Sequence, residues 1–243
     1  KEESDMKRYL SVFGMIARST IYKVLLVISA MILVEGTCFY LSMLSATEQN
    51  FTGYIDQSQY SLIFKMAYVL ITIAIILPGM NLGSMQSYTL QRLRIKESRI
   101  FWLQAVYNFL AYVLLWGMQL VVLLMTAVIF QKNLPEGIGW NHQTLLLEFY
   151  RNAFMHSILP LEDGPGWWVL AIFGVVTALS AAKFTRLQRE GKFGGELIIV
   201  VIAVLLTFPR ALGVDMAFMI VVACVVCMVM VLGFLIRKFG GDE

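Results

Sequence analysis

Two charged side chains, Glu35 and Lys65, lie inside long apolar runs of this 243-residue sequence. Charge within a bilayer is costly, so such groups ordinarily face a partner or a cavity. At about 1.5 Å rise per helical residue, Glu35 sits roughly 13 Å, and Lys65 roughly 7 Å, from the same end of their runs. They are expected to pair or to line a pathway. The alternative is that Lys65 snorkels to the interface while Glu35 is protonated or hydrogen-bonded within a helix bundle. His142 and His156 share one polar stretch with Glu148, Glu162 and Asp163. They lack the H-E-x-x-H spacing that would put two ligands and a base on one helix face, so neither a metal site nor a catalytic residue is expected. Cys224 and Cys227 have C-x-x-C spacing, but they sit in an apolar run with no second pair and no βαβ pattern. They read as small residues on one helix face.

The elements that must position these residues are membrane helices. The chain is 59% hydrophobic and 14% charged, with a mean hydropathy of +0.74, whereas soluble domains carry about 25% charge. Its apolar runs reach the ~20 residues that cross a bilayer as helix. The expected fold is therefore all-α, a single transmembrane domain over 1–243 with six spans at about 22–44, 61–82, 100–130, 167–182, 196–212 and 214–236. An amphipathic helix over 6–21, with Tyr9, Leu10, Phe13, Ile16 and Ala17 on one stripe, is expected to lie in the membrane interface; the alternative is an extension of the first span. The first run is too long for a signal-peptide core and reads as a retained helix. The stretch 47–60 reads as polar. Pro78 should kink or end the second helix. The third run is longer than a crossing needs and should tilt or project. The outer loop 131–166 should carry a short amphipathic helix around 145–158 and end at the interface-favouring pair Trp167-Trp168. The clean apolar run of the fifth span ends at Phe208, before Pro209 and Arg210.

Orientation follows from lysine and arginine. Five stand at or before the first span (Lys1, Lys7, Arg8, Arg18, Lys23), four after the second, four after the fourth (Lys183, Arg186, Arg189, Lys192) and two after the sixth. These fifteen oppose three, Lys132, Arg151 and Arg210, on the other side. The bias alternates loop by loop, which puts both ends and the basic loops in the cytoplasm of a multi-pass plasma-membrane protein. The net charge of +3 is too small to point to nucleic acid.

The four basic residues after the second span, Arg92, Arg94, Lys96 and Arg99, belong to the stretch Tyr88 to Phe101. Leu90 and Leu93 share a helix face, and with Ile95 they suit an amphipathic segment docking into a partner's groove. Thr89-Leu90, Leu93 and Ile95 follow the spacing T-L-x-x-L-P-[IV]-[ST]-[RK], with Arg94 where that pattern has proline. The stretch resembles the first cytoplasmic loop of the ABC-2 type permeases, the six-helix membrane subunits of ABC exporters. The six-span layout adds to that resemblance. It implies a coupling helix, here Leu90, Arg92, Leu93, Arg94, Ile95, Lys96 and Glu97, seated on an ABC ATPase subunit. It also implies a second permease, either another copy or a related chain, in the same bilayer. The chain has no G-x-x-x-x-G-K-[ST] loop, so ATP and Mg are expected on the partner and no cofactor on this chain.

Three functional classes compete. A permease exporting a substrate, itself without enzymatic activity, fits the layout and the loop. A non-transporting accessory or immunity subunit fits the same sequence. An intramembrane enzyme would need paired catalytic groups at one depth, and the spans hold no histidine and only Glu35 as a buried carboxylate.

Overall fold

The computed structural model describes residues 2–45, 50–80, 96–133, 142–161, 164–192, 194–207 and 214–239. All regular structure among them is helical. In chain order the helices are α1 (Glu2–Ser45), α2 (Phe51–Gln57), α3 (Tyr60–Met80), α4 (Glu97–Lys132), α5 (His142–Arg151), α6 (Ala153–Ile158), α7 (Gly164–Arg189), α8 (Glu196–Thr207) and α9 (Val214–Phe239). Four of them, α1, α3, α4 and α7, are long and apolar enough to cross a membrane. Their outward faces carry large apolar side chains: Leu26, Leu33 and Leu41 on α1, and Val106, Leu124 and Met125 on α4, are all exposed. A soluble monomer does not present apolar surface on that scale, and a bilayer is the solvent that suits it.

The first 45 residues depart from expectation. The segment over 6–21 is not a separate interfacial helix; it forms the opening turns of α1, a single helix of 44 residues. No proline interrupts the run. The hydroxyl of Ser19 donates to the Ile16 carbonyl at 2.7 Å, inside the helix where a break was expected. The segment is held against α4. Val12 and Thr20 are buried, Thr20 Oγ1 donates to the Tyr107 hydroxyl at 2.6 Å, and Phe13 meets the Tyr107 ring edge-on. At about 1.5 Å per residue α1 is about 66 Å long, roughly twice a ~30 Å hydrocarbon core. The buried stripe Thr20, Val24, Ile28, Met31, Glu35, Phe39 and Ser42 advances by steps of four, four and three, close to the ~3.6 residues per turn that keep one face of a straight helix turned inward.

The bundle follows from the long helices. α1 packs between α3 and α4, and α7 packs against α4, α3, α8 and α9. Contacts fix the directions. Ser58 donates to Ser42 across the turn from α1 to α3, so those helices run antiparallel. Thr20 to Tyr107 and Glu35 to Gln119 keep a nearly constant spacing, so α1 and α4 run parallel. Asn108 to Ala178 and Glu97 to Arg186 run in opposite senses, so α4 and α7 are antiparallel. In lipid, helices gain little by hiding apolar surface from one another, and close packing of small residues takes over. α7 supplies Gly174, Ala178, Ala181 and Ala182, and α4 supplies Ala105 and Ala111, all but Gly174 buried. A Cβ at Gly174 would lie 3.2 Å from the Phe109 ring.

The ends of the spans differ from expectation in detail. α3 ends two residues beyond Pro78, at Met80. α4 has 36 residues, consistent with projection. The polar stretch 47–60 contains α2, which buries Phe51, Tyr54 and Ile55. The amphipathic stretch expected around 145–158 forms two helices, α5 and α6, broken at Asn152. The fourth span does not stop at Ala182: α7 continues to Arg189 and carries Lys183 and Arg186, expected in a loop, into buried positions. α8 has 12 residues, a rise of about 18 Å; the rest of the expected fifth span, 208–212, lies outside the described residues. α9 covers the sixth.

Candidate functional site

Three polar groupings stand out in an otherwise apolar bundle. The first is at mid-helix. Glu35 is fully buried because it occupies the centre of α1's inward stripe. Gln119, also fully buried, occupies the matching stripe of α4, and its Nε2 donates to Glu35 Oε2 at 3.1 Å. The expected pairing with Lys65 does not form. Lys65 lies one residue beyond the buried Phe64, about 100° around α3, and is half-buried. No ion pair joins it to Glu35 among the described residues. Depth is not the obstacle; the face is.

The second grouping joins α3, α4 and α7. The Tyr68 hydroxyl donates to Thr177 Oγ1 at 2.8 Å. The Tyr112 hydroxyl and Thr72 Oγ1 share a hydrogen bond of 2.9 Å. The Tyr68 and Tyr112 rings stack at 5.0 Å. Asn108 Nδ2 reaches the Ala178 carbonyl at 3.3 Å. All three of these hydrogen bonds run from one helix to another, so this layer sets helix register. Beside it lies an aromatic-walled pocket of about 200 Å³, with Phe64, Tyr112, Trp116, Trp167 and Phe173 among its walls.

The third grouping closes the basic end of the bundle. Glu97, in the first turn of α4, accepts from Arg186 Nη2 at 2.7 Å. Arg186 Nε lies 3.6 Å from Glu190, one turn on. Lys183 Nζ pairs with Glu196 at the start of α8 at 2.6 Å and reaches the Met230 carbonyl of α9 at 3.3 Å. Both cations lie over the Phe234 ring of α9. Four helices thus meet on two buried cations. Arg99 lies over the Tyr9 ring and ties the start of α1 to the same end.

Of the expected coupling residues, Leu90, Arg92, Leu93, Arg94 and Ile95 lie outside the described residues. Lys96 forms the N-cap position of α4 with extended backbone, and Glu97 is the anchor just described. His156 lies edge-on to Tyr150, and no cluster of three metal-ligating side chains occurs among the described residues. Cys224 and Cys227 are both buried and unbridged in the core. The opposite end of the bundle is closed by Asn152, whose Oδ1 accepts from the backbone N–H groups of Phe154 and Met155. Its Nδ2 donates to Asp56 of α2 at 2.9 Å. Glu148 accepts from the Thr52 amide of α2 at 3.1 Å.

Gln119, Lys183, Arg186, Glu196 and Asn152 did not emerge from the sequence as site residues. Gln119 carried a signal, a single amide in the apolar run from Val113 to Phe130 that also holds Thr126. Lys183 and Arg186 were masked by their value as topology markers. No known protein family, curated protein or solved structure matches the chain.

Proposed function

We propose that this chain is the membrane-spanning subunit of an ATP-binding-cassette transporter that exports its substrate, powered by a separate ATPase chain. In this reading the bundle has six spans, the fifth over about 196–212, and both ends face the cytoplasm. The supporting observation is the anchorage of Glu97. The proposed coupling residues 90–96 run directly into α4, and the first residue of α4 is bonded to the buried Arg186 of α7. A push on that segment would therefore reach α4 and α7 together, and through Lys183 it would reach α8 and α9. A loop that served only as a topology marker would need no such connection. The resemblance of residues 88–101 to the ABC-2 coupling loop and the fifteen-to-three partition of cations support the same reading.

Gentle extraction of the chain from its native membrane, followed by mass spectrometry of what co-purifies, tests the proposal. An ATPase bearing a Walker motif is the expected companion, and Leu93→Glu with Ile95→Glu is expected to release it while leaving the chain folded. Absence of any ATPase from the wild-type complex sinks the reading.

A further inference from the structure

The hydrogen bond between Glu35 and Gln119 leaves a remainder. Gln119 Nε2 satisfies Glu35 Oε2, yet Glu35 Oε1 and Gln119 Oε1 are both buried and find no hydrogen-bond partner among the described residues. Two acceptor oxygens on touching groups cannot satisfy each other. One proton resolves both: a carboxylic acid donates where a carboxylate only accepts.

The surroundings favour that proton. Glu35 is wholly enclosed, where an ionised carboxylate without a counter-ion is unfavourable by several kcal/mol. From α1 itself, Cys38 lies about one turn away. From α3, the buried Tyr60 hydroxyl lies within electrostatic reach and next to Thr126; Lys65 lies on a different face. From α4, the inward stripe around Gln119 holds Val122, Leu123 and Thr126, none of them charged. From α2, Asp56 is engaged by Asn152 at the far end. Among the described residues no cation touches the carboxyl.

We propose that Glu35 is a proton-binding site within the bilayer. The carboxyl is held as the neutral acid, with its O–H directed from Oε1 to Gln119 Oε1 while Gln119 Nε2–H donates to Oε2. The two hydrogen bonds form an acid–carboxamide ring that pins α1 to α4. The linkage has a definite sign. The packed seam binds the proton. A seam parted enough to admit water lets Glu35 ionise, and so binds fewer protons. Raising the pH therefore favours parting, and lowering it favours closure. The site needs no partner chain and stands or falls apart from the transporter reading.

Infrared spectroscopy of the full chain in liposomes tests it. At neutral pH the wild type is expected to show the C=O stretch of a protonated carboxyl, which shifts on exchange into D2O. Glu35→Gln is expected to abolish the band while keeping an amide pair across the seam. Gln119→Leu is expected to move the band to higher frequency, because the carbonyl loses its donor. Should Glu35→Gln fail to fold, Glu35→Asp replaces it, since it displaces the band without removing the acid. The proposal is overturned if the wild type lacks the band at neutral pH. It is equally overturned if the band is indifferent to substitution at Glu35, or if it does not move in Gln119→Leu.

Discussion

At the scale of single residues, the pairs Lys183–Glu196 and Arg186–Glu97 look alike by distance and differ in burial. Glu196 and Lys183 side chains are 14% and 7% exposed, whereas Glu97 is 69% exposed. Glu196→Ala strands an enclosed ammonium, and losing one partner of a buried pair costs about 3–5 kcal/mol. Glu97→Ala removes a solvated carboxylate and leaves Arg186 with Glu190 and Phe234, so its cost is expected near the ~1 kcal/mol of an exposed pair. Thermal unfolding in detergent should therefore rank Glu196→Ala well below Glu97→Ala. Replacing both Lys183 and Glu196 by Met should recover most of the loss, because an apolar pair of similar volume carries no desolvation penalty. Equal destabilisation by the two glutamate substitutions would refute the distinction. Lys65 gives a second residue-scale prediction. Because it occupies a different face from Glu35, exchanging the two charges in Glu35→Lys with Lys65→Glu should rescue neither single substitution, as measured by yield of folded protein. Partial recovery would count against the packing described.

At the scale of elements, Asn152 has two separable roles, and substitution can part them. Asn152→Ala removes the N-cap of α6, worth about 1 kcal/mol, and also the bond to Asp56. Asp56→Ala removes only the bond. Hydrogen exchange is expected to quicken over 153–158 in the first variant alone, and over α2 in both; quickening of α6 in Asp56→Ala would show the cap to depend on the cross-link. Similarly, Gly174→Leu must push Phe109 aside where α4 and α7 meet, and should lower thermal stability more than Gly117→Leu, where a Cβ meets nothing within 4 Å. The elements were unevenly legible in the sequence. The long apolar runs declared α3, α4 and α9 directly, since membrane helices are set by length and hydropathy. α2 was missed because seven residues with three apolar positions make too short a pattern, although Phe51, Tyr54 and Ile55 have helical spacing. The continuity of α1 was misjudged because polarity at residues 6–21 reports solvent, and a helix does not stop where its solvent changes. α7 was cut short for the opposite reason: Lys183 and Arg186 look like loop residues until their partners, thirteen and eighty-nine positions away, are known.

At the scale of the whole molecule, charge placement and helix packing give two independent accounts of which ends lie together. Contacts gather Tyr9, Arg99, Arg186, Glu196 and Phe234 at one end of the bundle, the end to which the lysine and arginine bias assigns the cytoplasm. Packing also bears on the parity of the last two helices. Glu196 opens α8 and Phe234 stands near the close of α9, and both meet Lys183 at the basic end, so Arg237 is expected to share a side with Lys192. An α9 that ended on the other side would part Phe234 from Lys183 and would carry Arg237 and Lys238 against the charge bias. With Cys38, Cys224 and Cys227 replaced by alanine, single cysteines at positions 192, 237 and 57 can be challenged in intact cells with a membrane-impermeant thiol reagent. Position 57 should react, while 192 and 237 should react only after the membrane is opened. Reaction of 237 with the membrane intact would reduce the span count to an odd number and withdraw the six-helix permease topology.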